Sequence, residues 1–376
     1  MDIDPVLKAL AAALHGEGPA VEILVDADGE PTAVPVETGI EEAAVVVRTS
    51  GSTGAPKATI LTVDALAASS VATAMALRGE GQWLLALPLQ YVAGVQVLVR
   101  SLFGGTRPWA MDLSGGFTPE AFTAAAEELT DKIRFTSLVP TQLQRLLESP
   151  SPETLAALRR FNAILLGGAP ASSELLESAR DAGLKVVTTY GSAETCGGCV
   201  YDGRPLDGVE VRLGDGGRIL LGGDTVAAGY LDAPRATAGA FFEEDGVRWY
   251  RTNDLGELAA DGTLTVLGRA DDVIITGGVK VSAAFIQAEL ERLDGVSAAF
   301  VAGVPSREWG QAVAAYVAVA EGSAEGREDF AARGHAALGA LAPKTVLAAD
   351  GLIMLPNGKP DRLAMIEQLS KLHQGQ

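Results

Sequence analysis

Cysteine and histidine are scarce. The chain has two cysteines, Cys196 and Cys199, spaced Cys-Gly-Gly-Cys, and three scattered histidines, His15, His335 and His373. A zinc site needs further ligands, and no histidine stands near the cysteines to supply them. A redox pair is conceivable at this spacing, but two reduced thiols in a Gly-rich turn fit it better. Positive charge is also short, with 29 Lys and Arg against 48 Asp and Glu and a formal net charge of -19. That balance argues against a nucleic-acid partner, which needs clustered cations, yet leaves room for a small anionic substrate in a cleft that focuses a few of them. Long apolar runs are missing, none approaching the roughly 18 residues of a membrane span. The first residues, Met1-Asp2-Ile3-Asp4-Pro5, are acidic where a secretory signal would be basic. The expectation is a cytoplasmic protein without a membrane span. Tandem repeats and low-complexity linkers are absent too, and 376 residues suffice for two or three domains.

What is present begins with Thr49-Ser50-Gly51-Ser52-Thr53-Gly54-Ala55-Pro56-Lys57, after the apolar run Ala43-Ala44-Val45-Val46-Val47. Glycines at a strand exit let the backbone approach a ligand, hydroxyls and free N–H groups donate hydrogen bonds, and the lysine brings charge, so the segment suits a polyphosphate. It is not a Walker A loop, because Ala55-Pro56 separates Gly54 from Lys57. A flexible Ser/Gly surface loop is the alternative on this segment alone.

Along the chain, helix and strand patterns alternate. A helix is expected at 5–14, a strand at 21–25, and a helix at 63–77 that follows the loop and points its N–H groups at a bound anion. A strand at 83–87 precedes an apolar helix at 95–103 whose single charge is Arg100. Such an arginine either snorkels or pairs, or else lines a pocket for an acidic substrate. Thr118-Pro119-Glu120 and Ser151-Pro152-Glu153 are helix starts. Strands at 133–138, 163–166 and 185–189 complete a mainly parallel sheet, at whose carboxyl ends ligands collect. Gly167-Gly168-Ala169 and Tyr190-Gly191-Ser192-Ala193-Glu194-Thr195 fall there. Short alternating runs from about 200 to 270 read as β hairpins. The expected fold is α/β: a large domain, 1–270, of α/β sheets plus a β-rich subdomain, then a small mobile α+β domain, 271–376.

The order of five motifs carries the family resemblance. The loop at 49–57, Tyr-Gly-x-x-Glu at 190–194, Tyr-Arg-Thr-x-Asp at 250–254, Gly-Arg-x-Asp-Asp at 268–272 with Gly-Gly-x-Lys-Val at 277–281, and Pro-Asn-Gly-Lys at 356–359 resemble the acyl-adenylate-forming superfamily. The resemblance implies ATP, Mg²⁺ and coenzyme A as partners of a carboxylic acid. The acid attacks the α-phosphorus of ATP, and the CoA thiolate then displaces AMP. It further implies that Thr49 to Lys57 hold the β- and γ-phosphates and that Glu194 binds Mg²⁺. Gly167, Gly168, Ala169, Tyr190, Gly191 and Ser192 lie about the nucleotide, Asp254 takes the ribose hydroxyls, and Arg269 contacts ribose or phosphate. Lys359 enters for adenylation, and Asp271 is the hinge that exchanges it for the Gly277-Gly278-Lys280 face, where CoA is used.

Leu87-Pro88-Leu89 with Gly94, Arg100-Ser101-Leu102, and Ser137 to Leu143 resemble the o-succinylbenzoyl-CoA synthetase branch, tied to menaquinone biosynthesis. That aromatic acid carries two carboxylates, which gives Arg100 a reason to be there, with Tyr91, Gly94, Ser137 and Thr141 around it; Thr141 could instead cap a helix. Three residues depart from the pattern. Ala193 replaces a threonine, Asn253 stands where glycine is usual, and Tyr91 where many members have histidine. The hundred or so residues that usually precede the phosphate loop are also pared down. Other acyl-CoA ligases, a carrier-loading enzyme or a silent nucleotide binder stay open, as does a homodimer.

Overall fold

The computed structural model describes residues 1–26, 28–49, 57–319, 327–355 and 360–375, with the backbone alone for Asp271, Lys280 and residues 327–329. The chain divides into two compact units, one made of 1–212, 220–252 and 258–264, the other of 213–219, 253–257 and 265–376.

In the first unit a seven-stranded sheet runs in the order Arg204–Pro205, Gly197–Tyr201, Val186–Ser192, Ala163–Leu166, Arg134–Leu138, Gln82–Leu85, Trp109–Ala110. The last five of these pair in parallel, and the first two add antiparallel at one edge. The central strands are short unbroken apolar runs because helices cover them. One face packs Leu84, Leu138, Ile164 and Leu166 against Phe122, Leu143, Leu158 and Leu175 of four helices. Two of those helices start where expected: Thr118 Oγ1 accepts from Ala121 N at 3.2 Å, and Ser151 Oγ from Thr154 N at 3.1 Å. Helix Val92–Phe103 packs against both strand Gln82–Leu85 and helix Val63–Ala76.

A second sheet is ordered Gly229–Tyr230, Lys57–Thr62, Ala43–Thr49, Ala20–Val25, Pro31–Val36. It corrects one expectation. The phosphate motif is followed directly by strand Lys57–Thr62, paired antiparallel to Ala43–Thr49 with Thr49 opposite Lys57. Helix Val63–Ala76 therefore starts at the far end of a six-residue strand, about 20 Å of chain from the loop, and does not aim its N–H groups there. Its first turn is satisfied instead by Thr62, whose Oγ1 accepts from Ala65 N at 3.2 Å.

The β-rich stretch forms a third sheet, ordered Val209–Leu213, Arg218–Gly223, Val247–Leu258, Phe241–Glu244, with Leu264–Arg269 also beside Val247–Leu258. Within the second unit a fourth sheet orders Val279–Ser282, Val273–Thr276, Gly310–Val319, Val296–Ser306. Side chains of Val296–Ser306 alternate between two cores, as a period of two demands. Val301 joins Ile286 and Leu290 of helix Ala283–Glu291, while Phe300 and Val304 join Met365 and Leu369 of helix Arg362–Gln374. That last helix and the parallel strand Thr345–Ala349 are absent from the sequence-based reading.

Candidate active site

The centre of the site in the first unit is a chain of three side chains. Lys57 opens its strand, and its ammonium lies over the ring of Tyr230, 4.8 Å from the centroid. Tyr230 sits on the edge strand beside it, opposite Thr59. Its hydroxyl donates to Oε1 of Glu194 at 2.7 Å. Glu194, 6% exposed, lies in the 3-10 turn Ala193–Thr195 that ends strand Val186–Ser192. That turn is held tightly: Thr195 Oγ1 accepts from Ser192 N at 3.0 Å and donates to the Gly197 carbonyl at 2.8 Å, and the Glu194 carbonyl accepts from Ala227 N at 2.9 Å. Burial first, and the Glu194 carboxylate next, push the Tyr230 hydroxyl well above the usual phenol range. Tyr230 is thus a donor to Glu194 at any physiological pH. No sequence motif singled it out, because a two-residue strand carries no periodic signal.

Around this centre the parallel sheet delivers the expected glycine turn. Gly167 follows strand Ala163–Leu166, its N–H donating to the Leu138 carbonyl at 3.1 Å, and Gly168 and Ala169 come next. Tyr190, Gly191 and Ser192 end the neighbouring strand. Gly191 has a packing reason of its own, since a Cβ there would stand 2.1 Å from the Gly197 carbonyl oxygen. The Ser192 Oγ is buried without a hydrogen-bond partner among the described residues, one position from the missing hydroxyl of Ala193. Ser50, Gly51, Ser52, Thr53 and Gly54 lie outside the described residues.

Arg100 is buried, 9% exposed, in helix Val92–Phe103. Its guanidinium stacks over Trp83 at 5.2 Å from the ring, and its Nε has no hydrogen-bond partner among the described residues. A cavity of about 30 Å³ adjoins it, bounded by Ser70, Thr73, Glu80, Trp83 and Phe135 among others. That is room for about two waters or one small polar group. Among the described residues Arg100 pairs with no carboxylate, and its Nε is shut away from solvent. One helical turn before it, Gln96 donates to the Cys196 carbonyl at 2.5 Å and to Ser69 Oγ at 3.1 Å, which ties this helix to the Glu194 turn. Tyr91 is half-buried and precedes the helix. Gly94 lies in its first turn, where a Cβ would fall 2.3 Å from the Pro88 carbonyl oxygen, so backbone packing alone requires glycine. Ser137 is buried in strand Arg134–Leu138. Thr141 is not a helix cap: Val139 holds the cap position, and Gln142 Oε1 accepts from its N–H at 3.0 Å.

The cysteines are free and fully buried. Burial raises both thiols, that of Cys199 to about 12. Two inert reduced thiols, not a reactive redox pair, is the state this environment imposes.

The second unit holds the remaining candidates. Asp254 lies on strand Val247–Leu258, Arg269 ends strand Leu264–Arg269, and Asp271 follows in a 3-10 turn. Asn253, the departure beside Asp254, accepts through Oδ1 from Arg218 at 3.1 Å. Gly277 and Gly278, at φ +55° and +82°, make the two-residue hairpin turn before Val279–Ser282, which carries Lys280. Both angles positive is a turn that favours glycine. Lys359 lies outside the described residues. Among the described residues no group of three or more His, Cys, Asp or Glu gathers as a metal cage, and no helix is long and apolar enough to cross a membrane.

Comparison with known proteins gives the class. Residues 3–231 match the AMP-binding enzyme family, and the chain belongs to it. The sheets described above recur in its solved relatives. The o-succinylbenzoate CoA synthetase of Bacillus subtilis, solved with the acyl-adenylate intermediate OSB-AMP, superposes with a TM-score of 0.73 at 27% identity, over 89% of this chain and 72% of that one. A further structure of that enzyme, in complex with ATP and a magnesium ion, gives 0.71 at 27% identity, over 90% and 72%. In sequence, the chain is 39% identical over 373 residues to the "Probable 2-succinylbenzoate--CoA ligase" of Mycobacterium tuberculosis strain H37Rv, covering 97% of this chain and 95% of that protein.

Proposed function

We propose that the chain is an ATP- and magnesium-dependent 2-succinylbenzoate–CoA ligase, a cytoplasmic enzyme that forms an acyl-adenylate and then a CoA thioester. The reaction class follows from family membership, and the substrate from the names of its relatives together with one observation on this chain. That observation is Arg100, a buried guanidinium with no hydrogen-bond partner at Nε beside a small cavity. Burying an unpaired charge costs several kcal/mol by general estimates. A dicarboxylate whose second carboxylate reaches Arg100 offsets that cost with a charge-assisted hydrogen bond. A monocarboxylic acid would leave it uncompensated.

In this reading the first carboxylate attacks the α-phosphorus and pyrophosphate leaves. The CoA thiolate then attacks the acyl carbon and AMP leaves. Both steps build charge on oxygen, so fixed cations and donors carry most of the rate. Lys57, with Thr49 and the loop between them, holds the leaving pyrophosphate. Gly167, Gly168, Ala169 and Tyr190 to Ser192 bound the nucleotide, with the free Ser192 hydroxyl standing in for the one Ala193 lacks. Glu194 is the residue that would hold magnesium, which when bound neutralises phosphate charge. One buried carboxylate, with no protein cage among the described residues, suits an ion that takes most of its ligands from phosphate and water. Asp254 and Arg269 orient the ribose. Residues 271–376 act as the lid, turning at Asp271 to bring first Lys359 and then the Gly277, Gly278 and Lys280 face to the large domain.

Isotope exchange between pyrophosphate and ATP tests this. 2-Succinylbenzoate is expected to support exchange far better than benzoate or a fatty acid, and exchange with those acids alone would sink the substrate assignment.

A further inference from the structure

We infer that Tyr230 is a positioning residue that aims the magnesium-binding carboxylate, fixing Glu194 through its hydroxyl while its ring seats Lys57. The inference rests on the roles proposed for Glu194 and Lys57. It goes beyond them because neither the motif at 190–194 nor the loop at 49–57 contains Tyr230.

The geometry leaves Tyr230 almost no freedom. It is 4% exposed, its ring meets Phe241 edge-on at 5.3 Å, and Lys57 covers a face. Its N–H donates to Thr237 Oγ1 at 2.9 Å, and Arg248 holds the carbonyls of Ala227 and Ala228 just before it, at 2.9 and 2.5 Å. A hydroxyl on so rigid a base fixes the torsion of the carboxylate that accepts from it. With Oε1 accepting from Tyr230, the carboxylate plane is set and its remaining lone pairs would be the ones offered to a metal ion. The ring face and the hydroxyl therefore set, from one residue, the spacing between the cation and the carboxylate that flank a polyphosphate. Preorganisation of this kind lowers the cost of binding, since less motion is lost when the ligand arrives.

The test follows nucleotide binding without turnover. The stabilisation of the full chain by α,β-methylene ATP is read as a melting-temperature shift across a magnesium titration, for wild type, Tyr230→Phe, Glu194→Gln, the double variant and Thr237→Val. A charge-assisted hydrogen bond corresponds to about tenfold or more in an equilibrium constant. Tyr230→Phe should accordingly raise the half-saturating magnesium concentration about tenfold, while the shift given by the nucleotide without magnesium stays as in wild type, because the ring under Lys57 remains. In the Glu194→Gln background the same change should add nothing further. Thr237→Val, which removes the acceptor of the Tyr230 N–H without touching its hydroxyl, should lower the melting temperature and leave the half-point in place. An unchanged half-point in Tyr230→Phe, an equal increment in both backgrounds, or an equal effect of Thr237→Val would overturn the inference. A wild type without any magnesium-dependent shift would overturn the functional reading itself, and this inference with it.

Discussion

If Arg100 receives the second carboxylate of the substrate, it makes the sharpest demand on substrate choice. Its stacking on Trp83 returns about 0.5–2 kcal/mol, whereas taking a guanidinium out of water costs several. Its Nε has no hydrogen-bond partner among the described residues, so part of that cost stays uncompensated. A substrate carboxylate in the adjoining cavity would contribute about 1.5–3 kcal/mol through a charge-assisted bond. Arg100→Gln should then lower kcat/KM for 2-succinylbenzoate roughly ten- to a hundredfold, at about 1.4 kcal/mol per decade, and mostly through KM. Benzoate, with nothing to offer the position, should change little. Arg100→Met keeps the apolar stem and drops the charge, so the melting temperature of the unliganded protein should stay level or rise. Steady-state kinetics on both acids and thermal denaturation of both variants make the check. A uniform loss on mono- and dicarboxylates, together with a lower melting temperature, would mean a structural arginine and refute the reasoning.

Lys359→Ala should abolish adenylate formation yet still convert a supplied acyl-adenylate to the thioester; equal loss of both half-reactions, followed by quenched-flow product analysis, would remove the two-orientation role. Gly94→Ala forces a Cβ to within 2.3 Å of a backbone carbonyl, so overpacking should cost about 1–3 kcal/mol in chemical denaturation. Wild-type stability with an altered KM would instead make Gly94 a substrate contact. Cys196 and Cys199 should resist a thiol reagent in the native protein and react together on unfolding in urea, whereas rapid native labelling would contradict their burial.

The parts of the candidate site that are legible in the sequence are those written as short motifs at turns. Gly167-Gly168-Ala169, the run from Tyr190 to Glu194 and the Gly277-Gly278 hairpin each combine special backbone needs with chemistry, and the strands that lead into them are plain apolar runs. Helix starts at Thr118 and Ser151 were legible for the same reason, because a capping hydroxyl before proline has few other uses. Strand Lys57–Thr62 was hidden, since Lys-Ala-Thr-Ile-Leu-Thr runs into an Ala-rich helix without a break. Its existence moves the helix start away from the loop and puts Gly229–Tyr230 beside Lys57 instead. That pairing joins residues about 170 positions apart in the chain, which no local pattern encodes. Arg100 was legible as an anomaly, a lone charge in an apolar helix, but that its Nε lacks a partner among the described residues is a statement about space that only coordinates can make.

Product identity tests the central claim most directly. The purified chain is incubated with 2-succinylbenzoate, ATP, magnesium and CoA, and AMP, pyrophosphate and CoA thioester are quantified together by mass spectrometry. Equal amounts of all three are expected, with the 2-succinylbenzoyl thioester as the product and the adenylate accumulating when CoA is withheld. ADP and phosphate in their place, or a thioester formed only from a monocarboxylic acid, would contradict it.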